Sequence, residues 1–293
     1  GGDAALHHAL RMARRLRALR PDVFLAGTFR KLFLASLAAH GARVPRVVAR
    51  VGLETDTPRS AKYRLALARW VDAVVVNASR IQAPFAGAML IHNGVAIPAV
   101  AEPGALRREL GIAPGAPVVG TVARLARQKR LDRLFAAVAL LPPETHCVVA
   151  GSGGWEARLR ALGEELGIAP RVHLLGHRDD TGAVLDALDV FVTASDTEGL
   201  SNAMLEALAS GVPVVSTPVS GAGDALEPLA DGRVPGVVAG WEPAELAAAI
   251  RPLLDNDALR ARMGEAARAR AAERFSYQGM LDRWERVLAG DAP

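Results

Sequence analysis

The sequence predicts an α/β protein built on two parallel sheets. Three observations carry that prediction. Short β-branched runs alternate with helical patterns along the whole chain. Four of these runs precede, and six follow, a stretch at 93–117 rich in glycine, proline and alanine. Charge also changes sign between the parts: residues 1–101 hold 15 Lys and Arg against 5 Asp and Glu, whereas residues 102–293 hold 20 against 26. Alternation of this kind belongs to parallel sheets covered by helices. A chain of 293 residues has room for two such domains.

Taken in order, the predicted strands are 22–26, 46–50, 73–77 and 89–92, then 117–122, 145–150, 172–174, 189–193, 213–216 and 236–238. Between them, apolar residues recur three and four apart, as in Leu131/Leu134/Phe135/Val138 and Leu159/Leu162/Leu166. A first helix over 6–20 places Leu6, Leu10, Ala13, Leu16 and Leu19 on one face, with Arg11, Arg14, Arg15 and Arg17 largely off it. A second basic helix over 59–70 carries Arg59, Lys62, Arg64 and Arg69. Two readings of these helices stay open: ordinary surface helices, or a face turned to anionic lipid or a phosphorylated glycan. From residue 243 to 289 the pattern is helical throughout, with Phe275, Tyr277 and Trp284 expected to pack on another part of the molecule.

Composition excludes several classes. Apolar residues make up 51% of the chain, which rules out disorder and collagen-like sequence. Mean hydropathy is only +0.18, and no run of about 20 apolar residues predicts a membrane-spanning helix. The one cysteine, Cys147, excludes an intramolecular disulfide and a cysteine-based zinc site; its apolar run reads as the seat of a buried thiol. No nucleic-acid motif or aromatic interleaving occurs. Residues 6–19 lack a signal-peptide pattern, and the opening Gly-Gly-Asp reads as an internal position of a longer protein.

Chemistry concentrates in residues 190–216. A strand ends near Thr193, a loop follows, and a helix starts near Ser201 and stops at Gly211 and Pro213. Ligands of open parallel sheets bind at strand carboxyl ends, where helix amino termini offer free N–H groups to anions. Gly199, Leu200, Ser201 and Asn202 are so placed. Glu198 lies in the loop and Glu206 about one and a half turns into the helix. The competing reading has both carboxylates solvated. A second segment, 118–129, delivers Arg124 and Lys129 to the loop after a strand; two such cations suit a diphosphate, although a solvated basic loop looks the same. The third, 148–154, is a strand followed by a glycine-rich turn through Gly151, where a ligand can approach the backbone. Neither the dinucleotide fingerprint nor a Walker A spacing is met, since Glu156 occupies the place of the last glycine of the former.

Together these segments resemble the retaining glycosyltransferases of family four, which have the GT-B fold. The order GTVARLARQKR, VVAGSGG, VHLLGHRDD, DVFVTASDTEGLSNAMLEALASGVPVVSTPVSGAGDAL matches, and the earlier IHNGV looks like the family's Asn-Gly-Val segment. The resemblance covers about residues 70–290. Arg130 stands where the family usually has Gly, and Asp224 where Glu is common. The resemblance implies that Arg124 and Lys129 bind the donor diphosphate and that Glu198 contacts the donor sugar. Gly199 to Asn202 would hold sugar and phosphate through their amides, and Glu206 would take the ribose hydroxyls. Gly176 and His177 would lie by the base, while His177 taken alone reads as structural or solvated.

The expected architecture is therefore α/β of the GT-B type, with two Rossmann-like parallel-sheet domains facing a cleft. Expected boundaries are 1–101 for an incomplete acceptor-side domain, 102–272 for the donor domain, and 273–293 for a helix crossing back. About 80 residues are expected before residue 1. Arg50, Glu54, Asp56 and Arg59 are the acceptor-side candidates, since 50–59 follows a strand; an internal ion-pair network reads the same way. The expected activity is metal-independent, retaining hexosyl transfer from a nucleotide diphosphate sugar such as a UDP-sugar, with no cofactor beyond that co-substrate. Expected partners are a glycan or lipid-linked saccharide, as in lipopolysaccharide or exopolysaccharide synthesis, and an anionic membrane surface, with no nucleic acid. The expected location is the cytoplasm or the inner face of its membrane. The rivals are an epimerase or phosphorylase on the same fold and a non-catalytic nucleotide-sugar-binding subunit.

Overall fold

The computed structural model describes residues 2–27, 29–53 and 55–291, without the side chains of residues 2–6 and 30. The chain divides into two compact units, Gly1–Asn93 with Gln278–Pro293, and Gly94–Tyr277. Among the described residues, ten strands form where ten are predicted, each end within two residues.

The first unit holds a parallel sheet of β1 (Val23–Ala26), β2 (Arg46–Val51), β3 (Ala73–Val76) and β4 (Met89–Leu90), in that spatial order. Successive side chains point to opposite faces. Ala49, Val51 and Val76 therefore join one core with Phe29, Leu32 and Phe85, while Val48 and Val75 join another with Ile91 and Val287. Val287 belongs to the helix Tyr277–Ala289, whose Met280, Trp284 and Leu288 also pack there, and Arg46 Nε donates to the Val287 carbonyl at 3.0 Å. Tyr277, in contrast, is exposed.

The first helix, Gly2–Leu19, packs on the helix Leu32–Gly41 through Ala9 and Ala13, and Leu16 lies against Ala39. This corrects the expected apolar face: Leu10 and Leu19 are 53% and 76% exposed, and Leu6 lies outside the described side chains. Alanines four residues apart share one face of a helix and let the neighbouring helix approach closely, so the buried stripe runs through Ala9, Ala13 and Leu16 and leaves Leu10 and Leu19 outside it. The second basic helix is Ala61–Arg69. Among the described residues the only non-glycine residues with positive φ are Arg20 (+48°), Arg43 (+60°) and Arg130 (+48°). That backbone costs an L-residue roughly 1–2 kcal/mol.

The second unit holds β5 (Val118–Val122), β6 (His146–Ala150), β7 (Val172–Leu174), β8 (Val190–Thr193), β9 (Val214–Ser216) and β10 (Gly236–Val238). All pairings are parallel, in the order β10-β9-β8-β5-β6-β7. The chain runs outward from β5 to β7 and then returns to place β8 on the other side of β5, which makes the β5/β8 border a topological switch point. Both faces are covered. Val118, Val148 and Phe191 point into one core, while Val119, Cys147, Val149, Val190 and Val192 point into the other. Burial pushes the Cys147 thiol up to about 12, so the residue acts as a small apolar packing group.

The units do not divide at 101/102 and 272/273. The Val95 N–H donates to the Phe275 carbonyl at 2.8 Å, and Val95 bridges to Ser276. The backbone of Ala99 closes against Gly182. Residues 94–101 and Phe275 are thereby tied into the second unit. No helix among the described residues is long and apolar enough to cross a membrane.

Candidate functional site

The residues with chemistry gather at the carboxyl edge of the second sheet, over the switch point. The loop after β8 leads into the helix Asn202–Ser210. Ser201 caps that helix, its hydroxyl accepting the Met204 N–H at 3.4 Å, and Gly211 ends it with a left-handed backbone (φ +77°). Gly199 and Leu200 are buried at the foot of the loop. The Gly221 N–H donates to the Gly199 carbonyl at 3.1 Å. A Cβ on Gly221 would lie 2.4 Å from that oxygen, so only glycine admits the contact.

Across the switch point stands the loop after β5, ending in a tight turn at Arg127–Lys129. Lys129 Nζ contacts Glu198 Oε1, and Glu198 is only 8% exposed. The pair borders a concavity that Ser195 and Ser201 also line. The two loops are fastened beside it. The Asp196 N–H donates to the Gln128 carbonyl at 2.9 Å, and Gln128 Nε2 to the Thr197 carbonyl at 2.7 Å. Arg130 and Arg133 each donate to Asp196 Oδ1 at 2.9 Å, and Arg133 also holds the Ala194 carbonyl at 2.5 Å. Arg130 also pairs with Asp132 at 3.0 Å. Arg130 thus adopts the left-handed backbone that glycine takes freely, and two carboxylates hold it there. Arg124 differs: it is exposed, and its guanidinium makes no hydrogen bond among the described residues.

Glu206 is half-buried on the Asn202–Ser210 helix, without a hydrogen-bond partner among the described residues. Burial raises its pKa above the usual carboxylate value. Such a carboxylate is poised to accept from hydroxyl groups. Gly151 (φ +140°) donates to the Gly176 carbonyl at 2.7 Å and joins the loops after β6 and β7. The backbone that approaches Gly151 is the protein's own, since a Cβ there would lie 2.0 Å from the Ala123 carbonyl oxygen. His177 is exposed and meets Asp179 at 3.2 Å.

The acceptor-side candidates belong to the first unit. Arg50 is a residue of β2 rather than of the following loop, because its strand pairs with β3 as far as Val51. Its Nη2 donates to Asn93 Oδ1 at 2.9 Å, and burial lowers its pKa. Asp56 is half-buried and Arg59 exposed, whereas Glu54 lies outside the described residues. Beside them, at the carboxyl edge of β2 and β3, Thr57 Oγ1, Ser60 Oγ and Asn77 Oδ1 are buried without a hydrogen-bond partner among the described residues. Sequence reasoning missed these orphans, and also Gln128, Arg133, Asp196 and Gly221. A charged residue between the apolar positions Leu131 and Leu134 was the one signal for Arg133, and the small-residue run 220–223 the one for Gly221.

A family model described as glycosyl transferases group 1 matches residues 104–270. A lipopolysaccharide core biosynthesis glycosyltransferase of Rhizobium meliloti is 33% identical over 183 residues, 62% of this chain and 53% of that protein. A D-inositol 3-phosphate glycosyltransferase of Corynebacterium jeikeium is 39% identical over 189 residues, 60% of this chain and 44% of that one. The chain therefore spans about half the length of the curated relatives it matches. Anabaena Alr3699/HepE, solved in complex with UDP, is 23% identical with a TM-score of 0.83, covering 96% of this chain and 81% of its own. That likeness shows the GT-B fold.

Proposed function

Because the chain belongs to the glycosyl transferases group 1 family, we propose that it moves a sugar from a nucleotide diphosphate sugar to an acceptor hydroxyl. One observation carries the proposal: Lys129 and Glu198 meet at the switch point, with the free guanidinium of Arg124 and the unpartnered carboxylate of Glu206 on the flanking elements. An ammonium has three donors, and Glu198 uses one, which leaves two for diphosphate oxygens. Arg124 adds a planar fork, Glu206 accepts the ribose hydroxyls, and Glu198 contacts the sugar. Gly199 to Asn202 line the sugar and phosphate, Gly176 and His177 border the base, and Gly151 shapes the loop beside them.

As the bond from the anomeric carbon to phosphate breaks, negative charge grows on the diphosphate, where Lys129 and Arg124 stabilise it. In the proposed scheme the acceptor attacks from the same face, a new bond forms to the anomeric carbon, and a phosphate oxygen takes the acceptor proton. Configuration is then retained, and side-chain cations do the work that a metal does elsewhere.

The neighbour solved with UDP-glucose supports a UDP-hexose as the first donor to test. The name of the lipopolysaccharide core relative supports a lipid-linked saccharide or glycan acceptor, whereas the other relative is named for inositol 3-phosphate. Arg50, Asp56 and Arg59 of the first unit supply polar groups for it. The basic balance of residues 1–101 supports work at the inner, cytoplasmic membrane face.

The test is a thermal-shift screen of UDP-, GDP- and ADP-sugars, followed by product analysis with and without chelator. A donor at 100 times its Kd adds about 2.7 kcal/mol of stability. Absence of stabilisation by all three classes overturns the reading, and product with inverted configuration or chelator-sensitive turnover overturns its mechanism.

A further inference from the structure

The first unit carries a second concentration of arginine, at the opposite edge of its sheet from the acceptor-side candidates. Arg20 follows the helix Gly2–Leu19 and leads through Pro21 and Asp22 into β1. Arg43 follows the helix Leu32–Gly41 and leads through Val44 and Pro45 into β2. The two connections are equivalent. Val23 pairs with Arg46 across the parallel strands, and each arginine lies three residues before its member of that pair. Both line one concavity of about 370 Å³, together with Arg17 from the last turn of the first helix.

Backbone conformation makes these positions unusual. Both arginines sit in the left-handed region just past a helix end, where glycine is the common residue. Arg130 shares that backbone, but Asp132 and Asp196 hold its side chain. The guanidinium groups of Arg20 and Arg43 are exposed and make no hydrogen bond or ion pair among the described residues. Arg17 spends one donor on the Gly41 carbonyl, at 2.7 Å. The negative ends of two helix dipoles and the exposed Asp22 carboxylate offset part of the positive charge. Three forked cations against a single carboxylate still leave the concavity positive. Paired guanidinium forks match the tetrahedral oxygens of a phosphate group.

We propose that Arg17, Arg20 and Arg43 form a phosphate-binding pocket, separate from the nucleotide-sugar site of the second unit. The phosphate is either a lipid headgroup or a free phosphate ester, and the two sources share this chemistry. The pocket does not depend on the glycosyl-transfer reading.

The test compares the wild-type chain with the double variant Arg20→Gly/Arg43→Gly, each with and without Lys129→Ala, which removes the phosphate contact proposed at the nucleotide-sugar site. Glycine accepts the left-handed backbone, so the double variant keeps the fold while losing both guanidinium groups. Binding of inorganic phosphate and of glycerol 3-phosphate is read by calorimetry. Flotation is read with phosphatidylcholine vesicles, with and without phosphatidylglycerol. The double variant is expected to bind the soluble phosphates about ten-fold or more weakly, as expected for lost charge-assisted hydrogen bonds, and to show the same loss in the Lys129→Ala background. Loss of phosphatidylglycerol flotation in the double variant assigns the pocket to a headgroup. Flotation that is absent or unchanged, with the soluble binding lost, assigns it to a free ester. Equal phosphate binding and equal flotation by the wild type and the double variant overturn the proposal.

Discussion

Lys129 Nζ contacts Glu198 Oε1 where the loops of two neighbouring strands, β5 and β8, meet. Both side chains are largely buried, at 20% and 11% exposure. Removing one partner strands the other in a desolvated place. Lys129→Ala is expected to lower kcat about 100-fold or more, the size of one lost electrostatic stabiliser. It should also cost about 1–3 kcal/mol of stability, because the Glu198 carboxylate stays buried without its donor. Adding Glu198→Gln should return part of that stability and none of the turnover. Steady-state kinetics and urea unfolding read the two effects separately, and near-normal turnover by Lys129→Ala would refute the role given to it.

Glu206 is a half-buried carboxylate whose pKa burial raises, so the folded protein holds its charge at a cost in the absence of ligand. Glu206→Gln is expected to raise the melting temperature of the ligand-free protein at pH 7. The same change should weaken UDP binding about ten-fold or more, on the scale of a hydrogen bond to a charged group. Stability and affinity thus move in opposite directions. A variant that loses both would mean that the carboxylate serves the fold instead.

Arg130 combines a left-handed backbone with ion pairs to Asp132 and Asp196. Two substitutions separate these contributions. Arg130→Ala and Arg130→Gly both remove the guanidinium, but only alanine keeps a Cβ in the unfavourable region. The alanine variant should therefore be less stable than the glycine variant by about 1 kcal/mol. Equal denaturation midpoints would show that the turn relaxes out of the left-handed region once the ion pairs are gone.

The strands were legible because parallel sheets covered on both faces need unbroken β-branched runs, and those runs are visible in 117–122, 145–150 and 189–193. Ser201 and Gly211 were legible as caps because their chemistry is local. Pairings across the sheet were not. Nothing in the sequence brings Gln128 to Thr197, or Arg133 to Asp196, because these contacts depend on β8 returning to lie beside β5. The first helix misled for a related reason. Two apolar stripes share Ala13 and Leu16, and only the neighbouring helix decides that Ala9 rather than Leu10 is buried with them.

Gly221 shows how such long-range contacts shape the candidate site. A Cβ at this position would stand 2.4 Å from the Gly199 carbonyl oxygen and 2.6 Å from Leu200 Cα. Backbone atoms cannot move aside as a side-chain end can, so Gly221→Ala must displace the loop that carries Glu198. Displacement of a positioned group by about 1 Å costs up to 100-fold in rate. Gly221→Ala is expected to reduce kcat/KM for the donor at least ten-fold while far-ultraviolet circular dichroism stays unchanged. Unaltered donor kinetics would free the Gly199–Leu200 segment of any positioning duty.

At the far end of the second sheet, His146 Nδ1 and His173 Nε2 lie 3.0 Å apart with stacked rings. Burial lowers the pKa of both. The cations Arg171 and Arg107 lower that of His146 further, and His146 does the same to His173. The folded pair is therefore neutral where free histidine begins to charge, at about 6.5. Below that pH the unfolded chain binds more protons than the folded one, so stability is complete above it and declines as pH falls through the folded pKa values. The melting temperature should drop between about pH 7 and 5, ahead of the carboxylates, which titrate near 4. In His146→Gln/His173→Gln the drop across that window should flatten, because glutamine does not titrate. An unchanged slope would place the pH dependence elsewhere and leave the histidine pair as packing alone.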